Sequence, residues 1–169
     1  MTGPDEDKDF IHQPRRDRMY EEHQQDPYRS RGKLPEPTVC GDCAAVYLQG
    51  RWQWGDAPAA AHEHRCPACS RIHDKVPAGL LTLRGAFMLA HRDEIMALIH
   101  HTEAREKSEH PLERIMLVEE SADGASVVVS YTGVHLAKST GTALQRAYGG
   151  AFDFQYVDSD GVMSASWER

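Results

Sequence analysis

The sequence predicts an α+β protein, in which a small metal-stapled ribbon precedes a two-layer αββαββ domain with a mainly antiparallel four-stranded sheet. Three observations support this. Two CxxC pairs, Cys40-Gly41-Asp42-Cys43 and Cys66-Pro67-Ala68-Cys69, bracket a short aromatic stretch. From residue 85 onward, segments with apolar residues at helical spacing alternate with short β-branched runs. Two Asp-Gly steps, Asp123-Gly124 and Asp160-Gly161, fall between such runs, which is a hairpin signal.

Residues 1–38 mix charges of both signs with Pro4, Pro14, Pro27, Pro35 and Pro37 and contain few apolar side chains. Such a segment buries too little surface to offset its ordering entropy, so it reads as a disordered charged arm. Helix propensity allows one short helix around Arg18 to Gln25. The cations Arg15, Arg16, Arg18, Arg29, Arg31 and Lys33 could fold onto a phosphate backbone or simply keep a tail solvated.

Residues 39–84 form the metal module. AVYLQGRWQWG alternates with period two and reads as a strand or hairpin; DAPAAAHEHR, small and polar, reads as a loop leading to the second cysteine pair, with no long helix required. In the remaining segment, residues 85–169, Ile95, Leu98, Ile99 and Thr102 form one stripe of an amphipathic helix ending near His110-Pro111. RIMLVEES and ASVVVSYT make the first hairpin. Leu136, Ala137, Thr140, Leu144 and Ala147 mark a second helix over 134–148, closed by Gly149-Gly150. AFDFQYV and VMSASWE make the second hairpin.

The chemistry sits in the cysteines. A CxxC turn aims two thiolates at one ion, and two such turns, 22 residues apart, complete a tetrahedral shell from Cys40, Cys43, Cys66 and Cys69. With four protein ligands no coordination position remains open, so the ion is expected to be structural zinc, one per chain. A segment of this size needs such a staple, because its own core is too small to fold it. Iron in a rubredoxin-like electron carrier is the alternative for the same four thiolates, and a redox dithiol is the alternative for either pair alone.

Trp52 and Trp54 lie two apart on the expected strand, with Arg51 beside them. A face of that kind can stack unpaired RNA bases, and the same rings can equally form the core of the ribbon. Arg65, Arg71 and Lys75 flank the second cysteine pair and could either offset the charge of a tetrathiolate or bind phosphate. The histidines His62, His64, His73, His91, His100, His101 and His110 read as surface or loop residues. The chain has no P-loop, nucleophile elbow, HExxH or dinucleotide fingerprint, so no catalytic residue is assigned and no enzyme activity is expected.

Charge is uneven. Acidic against basic residues number 9 to 7 over residues 1–38, 4 to 5 over 39–84 and 13 to 7 over 85–169, for a net charge of −7. Any contact with nucleic acid should therefore fall within residues 1–84, and a protein partner suits the acidic 85–169 domain. No small-molecule substrate is evident. The opening residues lack a signal-peptide pattern and no long apolar run is present, so a soluble cytoplasmic protein without a membrane partner is expected, with reduced cysteines.

VCGDC with the strand after it, RCPACSRI, and then Pro77-Ala78-Gly79 ahead of an amphipathic helix resemble the N-terminal zinc-ribbon part of the Nmd-three family, the large-ribosomal-subunit export adaptors and their shorter prokaryotic relatives. The resemblance covers Val39 to about Pro111 and continues more loosely through the αββ repeat. It implies a ribosome-associated, RNA-binding adaptor that uses zinc only for structure. The chain has fewer cysteine pairs than the eukaryotic members and no room for their long C-terminal extension, so nuclear export is not implied. Two further function classes stand beside the adaptor: a protein-only interaction or regulatory module, and the iron electron carrier.

Overall fold

The structure is a computed structural model that describes residues 26–29, 32–157 and 161–169. The segment proposed as a short helix, Arg18 to Gln25, lies outside the described residues, as does most of the charged arm.

The first sheet is built from four very short strands in the order β3-β2-β1-β4: β1 (Thr38–Val39), β2 (Val46–Leu48), β3 (Arg51–Gln53) and β4 (His62–Glu63). β2 and β3 form the hairpin expected from the alternating stretch. Its turn residues, Gln49 and Gly50, both have positive φ, as the tight turns that suit strand twist require. The Glu36 carboxylate accepts hydrogen bonds from both turn N–H groups, at 2.8 and 3.0 Å. β4 comes from the stretch read as loop and pairs in parallel with β1.

Directly after Cys66, helix α1 (Pro67–Asp74) begins. The sequence reading required no long helix here, and α1 is short, eight residues; its punctuation is legible, with proline at the first helical position, whose fixed φ suits a helix start, and a left-handed cap at Lys75.

The second sheet has five strands, where the sequence reading expected four. The extra one is β5 (Gly79–Arg84), which the boundary at residue 84 had placed in the metal module. The order is β6-β7-β5-β9-β8, with β6 (Ile115–Glu120), β7 (Ser126–Tyr131), β8 (Ala151–Val157) and β9 (Val162–Glu168). β5 pairs antiparallel with β7 and parallel with β9, so the centre of the sheet is a parallel pair flanked by two antiparallel hairpins. The reason is burial: Leu81 and Leu83 are fully buried, and only a central strand can place them between neighbours on both sides.

Helices α2 (Ala86–Ala90), α3 (Arg92–Glu109) and α4 (Val134–Tyr148) cover one face. Ile95 and Ile99 of α3 and Leu136, Ala137 and Leu144 of α4 meet Leu81, Leu83, Val127, Val129, Tyr131, Met163, Ala165 and Trp167 in one core. Ala147, expected on the buried stripe of α4, is exposed; Gly141 is buried in its place, where the chain runs close against the ring of Phe152. Trp167 donates its indole N–H to the Gly149 carbonyl at 2.9 Å, so the largest core side chain leaves no polar atom unpaired.

The two parts meet through a few contacts. Trp54 donates its indole N–H to the Lys107 carbonyl near the C-terminus of α3, at 2.6 Å. Leu112 packs against the cysteine cluster.

Candidate metal centre

The four Sγ atoms of Cys40, Cys43, Cys66 and Cys69 lie within 4.8 Å of one another. Cys43 Sγ and Cys66 Sγ are 3.8 Å apart. A tetrahedral ion with metal–sulfur bonds of about 2.3 Å places its sulfurs about 3.8 Å apart, whereas a disulfide would bring two of them to about 2 Å. All four cysteines are free thiols, and three of them are buried. The cluster could thus hold one metal ion, and its four sulfurs would complete a tetrahedral shell.

Local folding aims the sulfurs. Cys66 is the N-cap of α1, and its Sγ accepts from the Cys69 N–H at 3.4 Å, where the unpaired N–H groups of the first helical turn favour a negative sulfur. Cys40 Sγ accepts from the Cys66 N–H at 3.3 Å, which links the two turns. In the first turn, Ala44 takes a positive φ and donates its N–H to the Cys40 carbonyl.

The thiols respond to this setting in opposite directions. Burial would raise Cys40, but the N–H groups of Cys66, Cys43 and Asp42 outweigh it and bring the thiol down to about 7. Burial pushes Cys66 well above the ordinary thiol range, and the charges of Cys43, Cys40 and Cys69 add to the effect. Burial likewise raises Cys69. Four clustered thiols, three of them buried, cannot all ionise on their own; a divalent cation at the centre would remove the conflict, and the donor set fits one.

The main addition to the sequence reading is Arg114. Its side chain is buried and reaches the cluster from the start of the second domain's first hairpin. Nη1 donates to Cys69 Sγ at 3.3 Å, Nη2 to Cys43 Sγ at 3.1 Å, and Nη2 approaches Cys66 Sγ at 3.8 Å. Burial alone would lower the guanidinium, yet the Cys43 and Cys69 sulfurs hold it above its usual value. The arginine is itself fixed: Nε donates to the Pro111 carbonyl at 2.8 Å, and its backbone N–H donates to Thr132 Oγ1 at 2.9 Å. A tetrathiolate around a divalent ion carries two net negative charges, and Arg114 supplies a buried positive charge within hydrogen-bond reach of the sulfurs.

Of the two roles open to Arg65, Arg71 and Lys75, offsetting the sulfurs' charge or binding phosphate, the first falls to Arg114 instead. Arg65 pairs with Asp42 at 2.5 Å on the surface. Arg71 is 5% exposed: it pairs with Asp26 at 2.6 Å, donates to the Val76 carbonyl and lies over the Tyr28 ring, fastening residues 26–28 to α1. Lys75 caps α1. No histidine joins a metal-holding group among the described residues.

A groove of about 1120 Å³ opens beside the cysteine module. Arg51, Trp52 and Arg65 line it, joined by Tyr47 and by Tyr28, Arg29 and Lys33 of the arm; Trp54, Arg71 and Lys75 do not. Trp52 stands edge-on to Tyr47 with ring centres 5.6 Å apart, and also packs against the cysteines. Four Arg and Lys side chains and two carboxylates, Asp74 and Glu113, line the groove, in contrast to the acidic chain as a whole.

No family model matches the chain, and no match is found among curated proteins or solved structures. The fold and site define a mixed α+β protein with two sheets and a four-cysteine metal site. No helix among the described residues is long and apolar enough to cross a membrane.

Proposed function

We propose that the ion is zinc and that the chain is a non-catalytic adaptor, in which the metal holds a basic, aromatic groove ready for a phosphate backbone. The ligand class is an accessible strand of structured RNA, as in a ribosome, in line with the resemblance to the Nmd-three family. The observation that carries this reading is the groove: Arg29, Lys33, Arg51 and Arg65 gather beside Trp52, Tyr47 and Tyr28 in a protein whose net charge is −7. Cations track phosphates and rings stack on bases, which is how single strands are held without sequence preference.

The test is fluorescence anisotropy with a labelled single-stranded oligoribonucleotide, titrated at several salt concentrations. Affinity should fall with a log–log slope of about 0.7 per phosphate contacted. Lys33→Glu with Arg51→Glu, both at exposed positions, should lower affinity at least about tenfold while metal content stays at one ion per chain. Binding that ignores both salt and these substitutions rejects the RNA reading.

The excess of acidic residues in 85–169 favours a second reading, a protein-only interaction module. It requires partner capture from lysate to survive nuclease and the same two substitutions. An iron electron carrier would be coloured on purification, and elemental analysis separates it from both.

A further inference from the structure

We infer that β8 is a self-complementary edge through which two copies of the chain pair, antiparallel, into one continuous ten-stranded sheet. The two edges of the five-stranded sheet differ. β6 carries Glu119 and Glu120, and its pairing with β7 is irregular between Ile115 and Leu117. Charge and local irregularity are the usual protections of a free edge. β8 is less protected: all seven of its residues pair with β9 without a shift, Asp153 is its one charge, and among the described residues nothing pairs with its outer side.

Its side chains are left open too. Phe154 is 42% and Tyr156 55% exposed, on a strand that alternates aromatic and polar residues. The order Ala151-Phe152-Asp153-Phe154-Gln155-Tyr156-Val157 is a palindrome in chemical class about Phe154. An antiparallel pair centred there sets Phe152 against Tyr156, Asp153 against Gln155, Ala151 against Val157, and Phe154 against its own copy. Aromatic lies opposite aromatic, apolar opposite apolar, and no like charges face each other, which is what a two-fold interface demands of one patch. A foreign strand would not require this symmetry. Lys138 of α4, the cation beside the strand, is engaged within its own copy: it bonds Tyr156 Oη at 3.0 Å and lies 4.4 Å from the centre of the Phe154 ring.

The experiment is sedimentation equilibrium of the full, metal-loaded chain under reducing conditions over a dilution series. A monomer–dimer equilibrium is expected. Phe154→Glu puts two carboxylates opposite each other and should weaken it about tenfold or more, with the circular dichroism spectrum unchanged. Gln155→Lys faces Asp153 of the other copy twice and should tighten it about fivefold, whereas Gln155→Asp should weaken it. A strictly monomeric parent, a dimer indifferent to Phe154→Glu, or a dimer weakened by Gln155→Lys would each overturn the proposal.

Discussion

The cysteine module and the sheet domain solve the same problem with different physics. The sheet domain has a continuous core of large side chains from five strands and three helices, with Trp167, Tyr131, Leu81 and Ile99 fully buried. The module has strands of two or three residues and a core made of Cys40, Cys66, Ala68 and Cys69, against which Trp52 and Leu112 lean. One part is held by apolar burial, which is spread over many residues. The other has a four-thiol cluster that could hold one ion, and with that ion bound its stability would be concentrated where a chelator acts. Arg114 shows that the division is not complete, since a residue of the sheet domain supplies charge and hydrogen bonds to the module's centre.

Metal removal should separate the two most sharply. Stripping the ion removes on the order of 10 kcal/mol of coupled folding free energy from the module. Hydrogen exchange should then show loss of protection across β1 to α1 while the amides of β5, β7 and β9 stay protected. Loss of protection throughout the sheet would break the comparison.

The converse is a cavity in the sheet domain. Leu81→Ala, at a fully buried position of the central strand, should cost about 2–5 kcal/mol in urea unfolding and leave one ion per chain by elemental analysis. Loss of the ion at the same time would mean that the module has no stability of its own.

Arg114→Met keeps most of the buried volume and removes the donors to sulfur. Metal affinity, measured by competition with a chromophoric chelator, should fall about 10- to 100-fold, with the tetrathiolate spectrum of a cobalt-substituted sample shifted but retained. Unchanged affinity would make the arginine a packing residue only.

The smallest effect concerns Glu113, which sits where the domains meet and accepts the Leu136 N–H at 2.8 Å. Burial raises its carboxyl above the ordinary glutamate value, against the pull of that N–H, His135 and His110. Because the folded value is the higher one, its stabilising contribution is complete below the unfolded value and is lost as pH rises through the folded value. Glu113→Gln should flatten that decline in the urea midpoint measured across the acidic range.

Much of this was readable from local pattern. Both Asp-Gly hairpins, the α3 stripe of Ile95, Ile99 and Thr102, and the four thiols within reach of one ion all follow from short-range periodicity and spacing. β5 was not readable in that way: GLLTLR is short, and its place at the centre depends on partners from residues 126–131 and 162–168. Nor was Arg114, since Cys43 is 71 residues away in sequence and HPLERIM carries no spacing that points to a sulfur. Arg71 misled for the opposite reason. It lies two residues after Cys69, yet its donors go to Asp26 and Val76.

The sequence alone determined which four cysteines cluster and the alternation of helix and hairpin, because both depend on residues within a few positions of one another or on a rare side chain with one dominant chemistry. Only the tertiary structure decided which strand lies at the centre of the sheet, which cation faces the sulfurs and which side chains line the groove. Those outcomes depend on long-range packing and on competition among many similar arginines, and no local pattern records the winner.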